Sequence, residues 1–126
     1  MPHKLLIVDD EADVCEFAAN FFRKRKIDVV TALSGEEALE VVDKEKPHLI
    51  LLDIKMSGID GIETLRRLKE KDQGVKVIMV TGRKPEDDDS FQKCRQLGAA
   101  DYIHKPLELD ELERVVMTGL KEIKLK

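Results

Sequence analysis

Three aspartates, a threonine and a lysine fall at the ends of apolar runs, and side chains of these types could together hold a phosphate and a metal ion. Leu5-Leu6-Ile7-Val8 is followed by Asp9-Asp10, Leu49-Ile50-Leu51-Leu52 by Asp53, and Val77-Ile78-Met79-Val80 by Thr81. A shorter run, Tyr102-Ile103-His104, leads into Lys105-Pro106. Carboxylates brought together repel one another unless a cation joins them. A hard divalent ion such as Mg2+ prefers oxygen ligands and commonly bridges carboxylates to a phosphate. A hydroxyl and an amine beside such a cluster supply a donor and a positive charge for phosphate oxygens.

The elements that must position these residues alternate along the chain. Strand-like apolar runs are separated by helix-like segments, which implies a parallel sheet with right-handed crossovers. The first helix is read from about Glu11 to Arg25, with Val14, Phe17, Ala18 and Phe21 as its buried stripe. Arg23, Lys24 and Arg25 in its last turn suit the negative end of the helix dipole, so a structural role is favoured over a nucleic-acid patch. Ile27 to Ala32 reads as the second strand, and Ser34 with Glu37 as the start of the second helix. Asp60-Gly61-Ile62-Glu63 reads as another helix start, with Ile62, Leu65 and Leu68 facing inward. Pro85 to Asp89 opens a fourth helix that buries Phe91, Cys94 and Leu97, with Gly98 as its C-terminal cap. The last helix follows Pro106 and buries Leu109, Leu112, Val116 and Leu120.

The first, third and fourth strands are continuously apolar, as interior strands covered on both faces must be. The second carries Asp28 and Thr31 and the fifth is short, so both fit sheet edges. The expected order is 2-1-3-4-5, which makes the first and third strands neighbours at a topological switch point. Open α/β sheets bind ligands outside the carboxyl ends of their strands at such a point, and Asp9, Asp10 and Asp53 all fall there.

The chain has 126 residues, enough for one domain with one core, and only 4% are aromatic, so that core is aliphatic. A net charge of −4 argues against a general nucleic-acid binder. No apolar run reaches the ~20 residues that span a bilayer, and the N-terminus lacks a secretory pattern, so a cytoplasmic protein is expected. Cys15 and Cys94 are too far apart for a metal knuckle or redox pair and read as core thiols. His3, His48 and His104 have no ligand spacing.

The chain resembles the receiver domains of bacterial two-component response regulators, chemotaxis regulators among them, from Lys4 to about Glu122. The stretches that carry the likeness are Leu6-Ile7-Val8-Asp9-Asp10-Glu11, Leu51-Leu52-Asp53-Ile54-Lys55-Met56, Met79-Val80-Thr81-Gly82, and Gly98-Ala99-Ala100-Asp101-Tyr102-Ile103-His104-Lys105-Pro106. The resemblance implies a flavodoxin-like doubly wound sheet of five parallel strands with five helices, a single receiver domain over residues 1–126. It implies that Asp53 accepts a phosphoryl group from a phosphohistidine on a sensor kinase or histidine phosphotransfer protein. Mg2+ would be held by Asp9, Asp10, Asp53 and the backbone carbonyl of Lys55. Lys105 would pair with Asp53 and then with a phosphate oxygen, and Thr81 would donate to another. Thr81 and Tyr102 would form the switch that changes the face made by the fourth helix, fifth strand and fifth helix. That face would meet an effector or a second copy of the domain, with no direct contact to nucleic acid or membrane. The peptide before Pro106 is cis in this family.

Some features depart from the family pattern. Ser57 stands where proline is common, and Lys55 and Arg83 occupy the positions that tune phosphoryl lifetime in the family. Glu86-Asp87-Asp88-Asp89 reads first as a solvated helix start and second as a selector of a basic partner. A degenerate receiver that only binds proteins is the main alternative. A dehalogenase-like phosphatase would need an Asp-x-Asp spacing after the first strand, and a flavodoxin-like electron carrier a Ser/Thr/Gly-rich loop there. Asp9-Asp10-Glu11-Ala12-Asp13 offers neither. With no effector segment present, the chain is read either as a stand-alone receiver or as part of a longer regulator, and the Lys-rich end as a helix C-terminus.

Overall fold

Alternation of side chains along each strand explains why the apolar runs are continuous. In the computed structural model, which describes residues 3–54, 58–72, 74–82, 90–105 and 107–123, both faces of one sheet are covered. The elements run β1 Lys4–Val8, α1 Ala12–Arg23, β2 Asp28–Ala32, α2 Gly35–Glu45 and β3 Leu49–Asp53. They continue with α3 Gly61–Lys71, β4 Lys76–Thr81, α4 Ser90–Gln96, β5 Asp101–His104 and α5 Leu109–Lys121. The five strands are parallel in the order β2-β1-β3-β4-β5, as the pattern of apolar runs predicts.

Successive residues of a strand point to opposite faces. Leu5, Ile7, Leu49, Leu51, Ile78, Val80 and Ile103 meet α1 and α5 on one side. Leu6, Val8, Ile50, Leu52, Val77 and Met79 meet α2, α3 and α4 on the other. Each central strand therefore needs an apolar residue at every position. The edge strands β2 and β5 do not, and each begins with an exposed aspartate, Asp28 and Asp101.

Local signals fix the helix ends. Ser34 Oγ accepts the Glu37 N–H at 3.0 Å and Asp60 Oδ1 the Glu63 N–H at 2.9 Å, so each cap satisfies one of the donors a helix start leaves open. Gly98 follows α4 at φ +97°, a conformation that favours glycine. The basic end of α1 is structural: Arg23 donates to the Val29 carbonyl at 3.1 Å, while Arg25 lies over the Phe21 ring and pairs with Glu113 of α5.

Two expectations about helix faces are corrected. The buried stripe of α1 is Cys15, Ala18, Ala19 and Phe22, with Phe17 57% exposed and Val14 and Phe21 half-buried. Residues 14, 17 and 21 and residues 15, 18 and 22 share one helical spacing, so periodicity alone offered both faces. The small side chains of Cys15, Ala18 and Ala19 allow α1 to lie close against β1 and β2. On α5, Leu109 is the first residue of the helix and is 38% exposed; the buried side is Leu112, Val115, Val116 and Leu120. The expectations at Lys55, Met56, Ser57, Arg83, Pro85–Asp89, Pro106 and the Phe91 side chain lie outside the described residues.

Candidate functional site

Parallel strands bring their carboxyl ends to one edge, and the register sets the spacing there. Val8 pairs with Leu52, Asp53 with Val80, and Thr81 with His104. Asp9 and Asp10 thus leave β1 beside the last residue of β3, Asp53. Thr81 ends the next strand, and Lys105 follows β5.

Carboxylate oxygens of Asp9, Asp10 and Asp53 all lie within 4.8 Å of one another. Asp9 and Asp53 are each only 4% exposed, whereas Asp10 opens to solvent. Lys105 Nζ sits 3.2 Å from Asp53 Oδ2 and 3.5 Å from Asp9 Oδ2. Burial alone would lower the Lys105 pKa; the carboxylates of Asp53, Asp9 and Glu11 more than offset it, so the ammonium is held above its ordinary value. Among the described residues, Lys105 contacts two of the three carboxylates, and the donors of the cluster are all hard oxygens. This set fits a divalent cation of the Mg2+ kind.

Backbone contacts hold these groups in place. Asp9 N–H donates to the Ala32 carbonyl at 3.2 Å, and Asp9 Oδ1 accepts the Glu11 N–H at 2.9 Å. Past Asp53, the Ile54 N–H donates to Val80 at 2.9 Å and the Ile54 carbonyl accepts Gly61 N–H at 2.7 Å. Lys105 N–H donates to the Thr81 carbonyl at 2.7 Å, which ties the lysine to the end of β4.

The structure therefore gathers Asp9, Asp10, Asp53 and Lys105 into one cluster. Thr81 lies at the same edge, 2% exposed. Tyr102 is set back along β5, opposite Met79, half-buried against the core under α3 and α4, with its ring 5.7 Å from that of His104. No histidine joins the acidic cluster; His48 Nδ1 instead accepts the Lys4 N–H at 3.0 Å.

Two parts of the site escaped the sequence. A Cβ on Gly61 would lie 2.2 Å from the Asp53 carbonyl oxygen and 2.5 Å from Ile54 Cα, so only glycine lets α3 begin this close to the end of β3. The Asp60-Gly61 pair is the available signal, which the sequence marks only as a helix start. The second is a groove of about 520 Å3 beside the cluster, lined by Glu11, Asp13, Val14, Phe17, Lys105 and Leu107. Assigning Phe17 to the core concealed it.

A doubly wound sheet with an acidic cluster and a lysine at its switch point defines a receiver, and the sequence comparison agrees: residues 5–117 match the response regulator receiver domain model, and the chain belongs to that family. Receiver domains of this family act in two-component phosphorelay signalling as phosphoacceptors. Among curated relatives it is similar to sporulation initiation phosphotransferase F of Bacillus subtilis, at 38% identity over 92% of each chain. It is also 35% identical to the alkaline phosphatase synthesis transcriptional regulatory protein PhoP of the same organism, over 96% of this chain and 50% of that protein. Among solved structures, a CheY-like receiver domain protein from Methanospirillum hungatei superposes with a TM-score of 0.89 at 28% identity, covering 97% of this chain and 96% of that one. The BeF3-activated DrrB receiver domain superposes at 0.84 and 30% identity, covering 96% and 99%. No described helix is long and apolar enough to cross a membrane.

Proposed function

We propose that residues 1–126 act as one receiver unit in the cytoplasm, in which Asp53 takes a phosphoryl group from a phosphohistidine of a sensor kinase or histidine phosphotransfer protein. The observation that carries this reading is the single ammonium of Lys105 shared by two buried carboxylates, 3.2 Å from Asp53 and 3.5 Å from Asp9. A carboxylate oxygen of Asp53 attacks phosphorus in line, the P–N bond to the donor imidazole breaks, and an acyl phosphate forms. Lys105 moves its contact from the carboxylate to a phosphate oxygen, and Thr81 donates its hydroxyl to another. Asp9, Asp10, Asp53 and the Lys55 carbonyl would hold Mg2+, which when bound neutralises charge between the attacking carboxylate and the phosphoryl oxygens. Positioning and charge neutralisation are most of what phosphoryl transfer requires of a protein. The domain is a signalling acceptor that assists its own phosphorylation and dephosphorylation, not an enzyme acting on a separate substrate.

The apolar groove of Val14, Phe17 and Leu107 opens beside Lys105 and is read as the seat of the phosphodonor protein. The added charge of about −1.5 to −2 units draws Thr81 toward the phosphate, and the Tyr102 ring follows into the space it leaves. The face of α4, β5 and α5 then changes its fit for an effector or for a second copy of the domain, a two-state element biased by local charge.

The test is intact-mass spectrometry after incubation with a small phosphodonor, with and without Mg2+, beside Asp53→Asn. One added phosphoryl group that needs Mg2+ and vanishes in the variant supports the reading. A folded protein that gains no mass while a control receiver does would overturn it in favour of a phosphorylation-independent binding module.

A further inference from the structure

The turn that carries Asp9 and Asp10 is held from beneath by a thiol. Cys15 lies in the first turn of α1, where its N–H donates to the Glu11 carbonyl at 3.1 Å, and it is 2% exposed. Its Sγ lies 3.2 Å from the Asp9 carbonyl oxygen, 3.7 Å from that of Ala32 and 3.9 Å from that of Ile7. Three carbonyls thus face one S–H. The Ala32 carbonyl already accepts the Asp9 N–H, and Ile7 sits inside the sheet, paired with both Thr31 and Leu51. The Asp9 carbonyl, the nearest of the three, lies just past the end of β1, where the strand ladder has stopped. It is the acceptor that the S–H serves.

That carbonyl belongs to the peptide joining Asp9 to Asp10. Its orientation sets the direction in which Asp10 leaves the strand relative to Asp9. The Asp9 N–H is anchored on Ala32, the Asp9 carboxylate on the Glu11 N–H, and the carbonyl on Cys15. An apolar side chain of similar size would fill the same space and leave the peptide free to tilt.

We propose that Cys15 is a positioning residue: its S–H fixes the Asp9–Asp10 peptide so that both carboxylates converge with Asp53 on a divalent cation. The inference rests on the reading of those three aspartates as a cation site, and it goes beyond the plain core thiol that the sequence suggested.

The test measures cation affinity directly, by counting free Mn2+ with electron paramagnetic resonance during titration of the metal-free protein. Cys15→Ala and Cys15→Val both lose the donor, and Val restores the lost volume should the Ala variant fail to fold. Cys15→Ser keeps a donor. Cys94→Ala removes a buried thiol from the opposite face of the sheet and reports what loss of a thiol away from the acidic cluster does. A net hydrogen bond of about 1 kcal/mol corresponds to roughly five-fold in affinity, and a thiol is a weak donor, so a loss of about three- to five-fold is expected for Ala and Val. Serine should stay within about two-fold of the parent, and Cys94→Ala should match it, the scale again being one hydrogen bond. Parent-like Mn2+ affinity in both donorless variants, or an equal loss in the serine variant, makes Cys15 a packing residue only and leaves the cation site standing. A parent protein that binds no Mn2+, or an Asp10→Asn variant that binds it equally well, removes the cation site itself and this proposal with it.

Discussion

Without a bound cation, the acidic cluster should be a weak point of the fold, and neutralising Asp10 should stabilise the protein. The carboxylates of Asp9, Asp10 and Asp53 approach within 4.8 Å, and Lys105 contacts Asp53 and Asp9. At the 4.8 Å limit, two unit charges repel by about 3.5 kcal/mol at an effective dielectric of 20 and by about 0.9 kcal/mol in bulk water. Asp10 is exposed, so the lower figure governs each of its two repulsions. Lys105, in contact with Asp9 and Asp53, and the further contact that Asp10 itself makes cancel part of the sum. Asp10→Asn should therefore gain about 1 kcal/mol in chelator, a rise in Tm of about 4 °C for a chain of this size.

With Mg2+ the order should reverse. A ligand at about 100 times its Kd stabilises the folded state by about 2.7 kcal/mol. The Asn variant, with one anionic oxygen donor fewer, captures less of that. The assay is thermal unfolding followed by far-ultraviolet circular dichroism, for parent and variant, in EDTA and in saturating Mg2+. Crossing curves are the expected result. An Asp10→Asn variant that melts at or below the parent temperature in EDTA would refute the reasoning, because Lys105 would then already balance the cluster.

Other predictions test the supports of the site. Gly61→Ala places a methyl 2.2 Å from the Asp53 carbonyl oxygen; backbone must shift, at a cost of about 3 kcal/mol, read as a lowered urea midpoint together with slower phosphorylation by a small donor. Phe17→Ala should change unfolding free energy by about 0.5 kcal/mol or less, whereas Phe22→Ala should cost about 3 to 5 kcal/mol; equal effects in urea melts would return Phe17 to the core. Only phosphotransfer from a protein donor should slow in the Phe17 variant, with a small donor unaffected. Glu63, hydrogen-bonded by Arg66 and Arg67, has its carboxyl pKa lowered from 4.5 to about 2. A depressed folded value means its stabilisation is present above pH 4.5 and lost as pH falls toward 2. Urea midpoints of Glu63→Gln should accordingly decline less over that window than those of the parent.

How much of this the sequence could carry depends on how many residues each feature needs. Strand order followed from composition, because a strand covered on both faces admits no polar residue in mid-run, and β1, β3 and β4 obey this while β2, with Thr31 inside its run, does not. The four charged residues now clustered were legible for the same reason: strand ends are marked by where the apolar run stops. The face of α1 was not legible, since Val14, Phe17 and Phe21 share their spacing with Cys15, Ala18 and Phe22. What decides between them is the closeness of the helix to β1 and β2, a tertiary quantity that rewards small side chains. Gly61 escaped for a related reason. Its need for a hydrogen in place of a side chain comes from the Asp53 carbonyl, eight positions away in the chain, and no local pattern encodes that approach.

The same distinction separates the charges of the site from their scaffold. Asp9, Asp10, Asp53 and Lys105 are marked by type and position, yet four such groups at strand ends would scatter without contacts that fix their peptides. Those contacts are the Ala32 carbonyl on Asp9 N–H, the Val80 carbonyl on Ile54 N–H, the Ile54 carbonyl on Gly61 N–H and the Thr81 carbonyl on Lys105 N–H. Each uses backbone atoms that every residue possesses, so none leaves a mark in the sequence. Three of the four join different strands, and the fourth joins the end of a strand to a helix. Repulsion among the carboxylates is therefore borne by the sheet as a whole, and a domain built this way holds its acidic cluster ready before any cation or phosphoryl group arrives.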